Sequence, residues 1–298
     1  MRKITSLENL GFSDLYIAFN KAFQDYEIQF NKNDLKVLLQ RRGFVPELSF
    51  GAFEGDKLIA FTFNGIGFYN GVKTAYDTGT GTIKEYRGQG LATKIFEYSL
   101  PFLKKANVSQ YLLEVLQHNT KAVSVYKKIG FEVSREFNYF ICKNEELQIN
   151  PSSKNKDFEI IKIGLNQCIS MIDFWDFIPA WQNSFDSITR KPDDFIIVGA
   201  TIRNQVVGYC IFDPKSGDIT QIAVNKKHRR KGIASLLLED VLRYNQHSSV
   251  KAINTEVGCK SINDFLQSVG ISITGKLFEM IKQLVPLQNF LAKDNTDQ

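Results

Sequence analysis

Two short runs in this chain of 298 residues carry residue types suited to anion chemistry. The first is Glu85-Tyr86-Arg87-Gly88-Gln89-Gly90-Leu91-Ala92, and the second is His228-Arg229-Arg230-Lys231-Gly232-Ile233-Ala234. Glycine permits a turn that side-chain-bearing residues resist. Behind the first run, Leu91, Ile95, Phe96 and Leu100 have the spacing of an amphipathic helix. Behind the second, Ser235 to Tyr244 forms an apolar helical stretch. A glycine turn that opens a helix offers unpaired N–H groups at the positive end of a dipole, which is a phosphate site. The stretches Val72 to Ile83 and Ile219 to Val224, just before the turns, read as strands. No Gly-Lys-Ser/Thr follows either turn, so a Walker-type loop is excluded.

The elements that must position these turns follow from periodicity. A short strand over Ile4 to Leu7 opens the chain. A helix over Asp14 to Phe23 follows, with Ser13 as N-cap, then a second over Asp34 to Arg42. Leu48 to Phe53 and Leu58 to Phe68 flank a hairpin turn. After the glycine turn and its helix come a strand at Gln110 to Leu116, a helix at Asn119 to Ile129 and a strand at Phe131 to Cys142. Polar Asn150 to Asp157 is a linker by composition, and beyond it the order of elements repeats. The stretch Ile169 to Ile188 is helical in parts, strands follow at Phe195 to Ile202 and Val206 to Phe212, and Lys260 to Val269 is the last helix. Gly90 matches Gly232 and Gly130 matches Gly270, each at an offset of about 140 residues, one domain's worth. Duplication explains both offsets.

Composition bounds the rest. An apolar fraction of 43% and a charged fraction of 23% are ordinary for a globular chain. The net charge of +5 is mild and dispersed, without the basic helix or aromatic strip that nucleic-acid binding needs. Cys142, Cys168, Cys210 and Cys259 lie far apart, which argues against a disulfide framework or a metal site and suits a reducing, cytoplasmic location. No apolar run reaches membrane-spanning length, and no signal peptide opens the sequence.

Arg87-x-x-Gly90-x-Ala92 and Arg229-x-x-Gly232-x-Ala234, together with Asn119, Tyr126 and Gly130-Phe131, resemble the GNAT superfamily of N-acetyltransferases. The resemblance covers both halves and implies an α+β fold of two tandem GNAT-like domains, each a mixed, mostly antiparallel sheet flanked by helices. It places a GNAT-like acetyltransferase domain at 1–148, a linker at 149–157, a second, more degenerate domain at 158–290 and a disordered tail at 291–298. It further implies acetyl-CoA as acyl donor and no metal. Thr82 and Ile83 would meet the pantetheine arm, and Gly88, Gln89, Gly90, Leu91 and Ala92 the diphosphate, with Arg87 adding positive charge. Asn119 would contact the donor from its helix start. In the second copy Ala223, Val224, Arg229, Gly232, Ile233 and Ala234 match these positions.

The reaction so implied is direct attack of a primary amine on the thioester in a ternary complex. Departing sulfur needs a proton, and the resemblance gives that role to Tyr126. The attacking amine must lose one, and Asp77 and Glu114 are the candidate bases. Aligning the copies puts Leu266 opposite Tyr126 and Cys259 opposite Asn119, so the second copy lacks the acid. Aromatic residues of the early helices, Tyr16, Phe19, Phe23 and Tyr26 in one copy and Phe174, Trp175, Phe177 and Trp181 in the other, are mostly core. In the resembled family this region also walls the acceptor pocket. The acceptor, a small molecule or a peptide amine, stays open, as does the choice between a monomer with an intrachain pseudo-dimer and a homodimer. The alternative is a non-catalytic coenzyme A-binding sensor or interaction module.

Overall fold

The computed structural model describes residues 2–26, 29–149 and 158–285. The expected linker, apart from Ile149, and the expected tail lie outside the described residues. Two compact units divide the chain. The first holds Met1–Val115, Asn119–Ser134 and Glu279–Gln298, and the second holds Leu116–His118 and Arg135–Phe278. Each unit therefore incorporates a segment from the other half of the sequence.

The N-terminal half runs β1 (Arg2–Ser6), α1 (Phe12–Ala22), α2 (Lys32–Arg41), β2 (Phe50–Glu54), β3 (Lys57–Tyr69) and β4 (Val72–Thr82). It continues with α3 (Leu91–Lys105), β5 (Gln110–Leu116), α4 (Thr120–Lys128) and β6 (Glu132–Lys143). α1 starts earlier than its apolar spacing suggests. Gly11 is its N-cap, and Ser13, expected in that role, lies in the first turn and accepts a hydrogen bond from Lys32 at 2.8 Å. α2 opens on a capping box between Asn31 and Asp34, a device worth about 1 kcal/mol.

β3 is buried on both faces along most of its length, so it reads as a continuous apolar run rather than an alternating one. Phe61 and Phe63 pack with Leu15, Phe19, Leu35 and Leu39 of the first two helices. Ile59 and Ala60 pack with Leu91 and Ile95 of α3. β1 to β4 pair antiparallel in sequence order, and β4 pairs parallel with β5. The end of β12 lies beside β5 and completes this unit's sheet.

The C-terminal half runs β7 (Glu159–Lys162), α5 (Leu165–Ile169), α6 (Phe185–Thr189), β8 (Ile196–Ile202), β9 (Gln205–Asp213) and β10 (Asp218–Val224). Then come α7 (Ile233–Leu242), β11 (Ser249–Glu256), α8 (Lys260–Ser268) and β12 (Ile273–Gln283). The aromatic stretch from 169 to 188 holds only short helical turns, at Ile172–Phe174 and Trp181–Asn183 before α6. Pro179 between them offers no N–H to a continuous helix. β7 to β10 repeat the antiparallel order, β10 pairs parallel with β11, and β11 pairs antiparallel with Phe137 to Lys143 of β6.

Two departures from regular pairing recur in both units. β4 carries a bulge at Thr78, since Phe63 faces Gly79 while Asn64 faces Asp77. β10 carries one at Thr220, since Phe212 faces Ile219 while Ile211 faces Gln221. The parallel pairs are also brief. β4 and β5 register only from Thr74 to Tyr76 against Gln110 to Leu112, and β10 and β11 only at Asp218 and Lys251. Past those pairs the strands part, beside the bulge and ahead of the glycine turn. Such bulges re-aim side chains and end pairing where a site needs room.

Candidate active site

In the N-terminal unit the parted strands bring Asp77 and Tyr126 together. The residue before the bulge, Asp77, points its carboxylate toward α4, and the Tyr126 hydroxyl donates to Asp77 Oδ2 at 3.2 Å. Thr80 Oγ1 donates to the same oxygen at 2.8 Å, and the Gly79 N–H donates to Oδ1 at 2.9 Å. Burial lifts the Asp77 carboxyl from 3.8 to about 6, and the three hydrogen bonds only partly oppose it. Burial, with the Asp77 charge beside it, pushes the Tyr126 phenol well above its ordinary range. Tyr126 thus stays protonated near neutral pH, beside a carboxyl able to take up a proton close to that range.

The two groups line a small cavity of about 10 Å³ with Thr62, Thr80, Phe96 and Tyr111, room for about one water. Ala92, in the first turn of α3, borders the same cavity and ties the pair to the glycine turn. Phe131 sets the ring of Tyr126 edge-on at 5.7 Å. Glu114, the other candidate base, is not among the residues that line this cavity. It takes a hydrogen bond from the buried hydroxyl of Tyr76. Asn119 caps α4, its Oδ1 accepting from the Ala122 N–H at 3.2 Å.

The turn itself has the expected geometry. Gly88 and Gly90 take φ of 76° and 71°, and a Cβ built on either would meet nothing within 4 Å. Among the described residues, no backbone partner takes the N–H of Gly88, Gln89 or Gly90. These donors, with the first turn of α3 behind them, fit a diphosphate. In the second turn Gly232 has φ of 82°, and Arg230, opposite Gly88, holds φ of 61° without glycine's freedom. The backbone shape survives although the residue changed. Arg87 and Arg229 each bond a carboxylate, Asp25 and Asp176 respectively.

The C-terminal unit differs where the chemistry would be. Ile219 precedes its bulge where Asp77 precedes the first, and Leu266 replaces Tyr126. Both are buried in one apolar cluster. Both also line a cavity of about 460 Å³ with Ala223, Val224, Gly232, Ile233 and Ala234, a volume typical of ligand sites. Phe174, Trp175 and Phe177 wall it, whereas Trp181 is core, with the Arg190 guanidinium 5.3 Å over its ring. A chain of hydrogen bonds runs along the cavity's lining. Trp175 donates to Tyr209 at 2.6 Å, Tyr209 to Gln221 at 2.8 Å, and Gln221 to the Asn183 carbonyl at 2.7 Å. In the first unit Phe19 is core and Tyr26 is exposed.

Thr80, Gly79, Asp25, Asp176 and Gln221 were not foreseen in the sequence. Their partners are distant in sequence or depend on a bulge that no local pattern announces.

The acetyltransferase (GNAT) family model matches residues 12–131 and 165–263, and the chain belongs to that family. N-alpha-acetyltransferase 30 of Schizosaccharomyces pombe is 33% identical over 98 residues, which cover 32% of this chain and 65% of that protein. A tandem GNAT protein from the clavulanic acid biosynthesis pathway shares the fold, with a TM-score of 0.72 at 13% identity, covering 96% of this chain and 99% of the other. The GCN5-related N-acetyltransferase of Sphaerobacter thermophilus aligns at a TM-score of 0.71 and 13% identity, covering 96% of each chain. Two GNAT domains in tandem are therefore the architecture. No helix among the described residues is long and apolar enough to cross a membrane.

Proposed function

We propose that the chain is an acetyl-CoA-dependent N-acetyltransferase whose chemistry resides in the N-terminal domain. The observation that carries this reading is the Tyr126–Asp77 hydrogen bond, set where β4 and β5 part and bordered by the first turn of α3. When bound, acetyl-CoA supplies a thioester to the attacking amine. Gly88, Gln89, Gly90, Leu91 and Ala92 hold its diphosphate through their N–H groups, and Thr82 and Ile83 lie along the pantetheine arm. Asp77 Oδ2 accepts the proton that the amine gives up. Tyr126 delivers its hydroxyl proton to the departing sulfur, and Asp77 restores it across their shared hydrogen bond. One proton leaves nitrogen and one reaches sulfur, so the pair ends as it began. Asp77 is preferred to Glu114 as base because it is the carboxylate that shares a hydrogen bond with Tyr126.

Domain limits at 1–148 and 158–290 follow the duplication. The relationship to an N-alpha-acetyltransferase supports peptide N-termini, alongside small amines, in any search for the acceptor. Incubation of acetyl-CoA with such a panel tests the reading: thiol release matched by amide formation is expected with at least one amine. The second reading, a coenzyme A-binding module without turnover, is favoured for the C-terminal domain by Ile219 and Leu266 in place of Asp77 and Tyr126. If coenzyme A binds but no amine releases thiol, that reading extends to the whole chain.

A further inference from the structure

The motif arginines make the same three hydrogen bonds in both units. Arg87 donates from Nε to the Thr82 carbonyl at 3.1 Å, from Nη1 to Asp25 at 3.3 Å, and from Nη2 to the Ala22 carbonyl at 2.8 Å. Arg229 donates from Nε to the Val224 carbonyl, from Nη1 to Asp176 and from Nη2 to the Phe174 carbonyl, each at 3.0 Å. In each case the partners are the end of the strand before the turn, a carboxylate beyond the first helical segment, and a carbonyl just ahead of that carboxylate. The route between carboxylate and arginine differs, 62 residues in one unit and 53 in the other. The helices before and along it differ too, since α1 and α2 are regular while α5 and α6 are single short turns. The same brace is rebuilt on unlike scaffolds.

The pair's value is geometric. Arg87 and Asp25 side chains are 41% and 43% exposed, and an exposed pair adds little stability. A planar guanidinium that spans three acceptors fixes their relative positions instead. Here it joins the strand end ahead of the glycine turn to the C-terminal end of α1, and three of its five N–H donors are spent on protein.

We propose that Arg87 is a positioning residue that locks the donor-binding turn to the acceptor-side segment through Asp25 and Ala22, and is not itself a phosphate ligand. The proposal rests on the functional reading above. The two alternatives differ in sign at Asp25. As a brace, Asp25→Asn should weaken coenzyme A binding as Arg87→Lys does, each about tenfold, with the double variant no worse than either single one. As a direct phosphate contact, Arg87 would be freed by Asp25→Asn, and coenzyme A would bind equally well or more tightly.

Calorimetric titration of the full chain with coenzyme A, together with steady-state rates, decides between them. The brace predicts that KM for donor and acceptor rises while kcat stays within about threefold, because the reacting pair is untouched. Asp25→Glu, which keeps the charge but shifts it, should fall between wild type and Asp25→Asn, and melting curves check that each variant folds. Unweakened binding in Asp25→Asn, or additive losses in the double variant, overturns the proposal alone. A wild-type chain that binds no coenzyme A overturns the functional reading and this proposal with it.

Discussion

At the scale of the residue, the site depends on what burial does to two groups in contact. Asp77 is lifted to about 6 and Tyr126 is held protonated, the states that the proposed base and acid need near neutral pH. Tyr126→Phe keeps the ring against Phe131 and removes the proton, so kcat should fall on the order of a hundredfold with coenzyme A affinity nearly unchanged. Full activity in that variant would remove Tyr126 from the mechanism. On the proposed mechanism Asp77 acts in its ionised form, so the rate should decline below about pH 6 with unit slope. Stability carries the opposite sign. A carboxyl whose folded pKa is raised from 3.8 to about 6 stabilises the fold fully below 3.8, and this contribution is lost as pH rises through 6. Asp77→Asn should therefore lower activity and flatten the stability profile between pH 4 and 6, as denaturant midpoints would register.

At the scale of the element, the site is made by interruptions. The bulge at Thr78 and the brief β4–β5 pairing separate two strands that would otherwise close on each other. Gly88 and Gly90 take positive φ, and among the described residues the N–H groups of Gly88, Gln89 and Gly90 have no backbone acceptor. Gly90→Val would force a β-branched residue into the left-handed region at a cost of about 1–2 kcal/mol. Coenzyme A affinity should fall at least tenfold in that variant, as measured by titration, while Tyr126 and Asp77 keep their contact. Arg230 shows that the second turn already bears such a cost at the position matching Gly88.

At the scale of the whole molecule, the compact units do not coincide with the two halves of the sequence. The first unit includes Glu279 to Gln283 of β12, beside β5, and the second includes Arg135 to Lys143 of β6, paired to β11. Leu284 continues the arrangement, its N–H donating to the Ser109 carbonyl at 2.8 Å. A chain cut at residue 149 would leave β5 with an unpaired edge and its own β6 without β11. That fragment should aggregate or melt without a cooperative transition, and adding residues 158–298 in trans should restore a sharp one. A fragment that melts cooperatively by itself would show that the exchanged strands are dispensable.

The sequence by itself determined the duplication, the order of elements and the two glycine turns, because periodicity and backbone freedom are local properties. It also placed Tyr126 and Leu266 opposite each other, since both sit at fixed spacing from a glycine. It left Asp77 and Glu114 equal as candidates, assigned Arg87 by charge alone, and divided the domains along the chain. Tertiary structure added the Asp77–Tyr126 contact, the three acceptors of Arg87 and the pairing of β6 with β11. A carboxylate's partner, an arginine's acceptors and a strand's neighbour are set by segments tens to more than a hundred residues away. Only folding brings those segments within hydrogen-bonding distance.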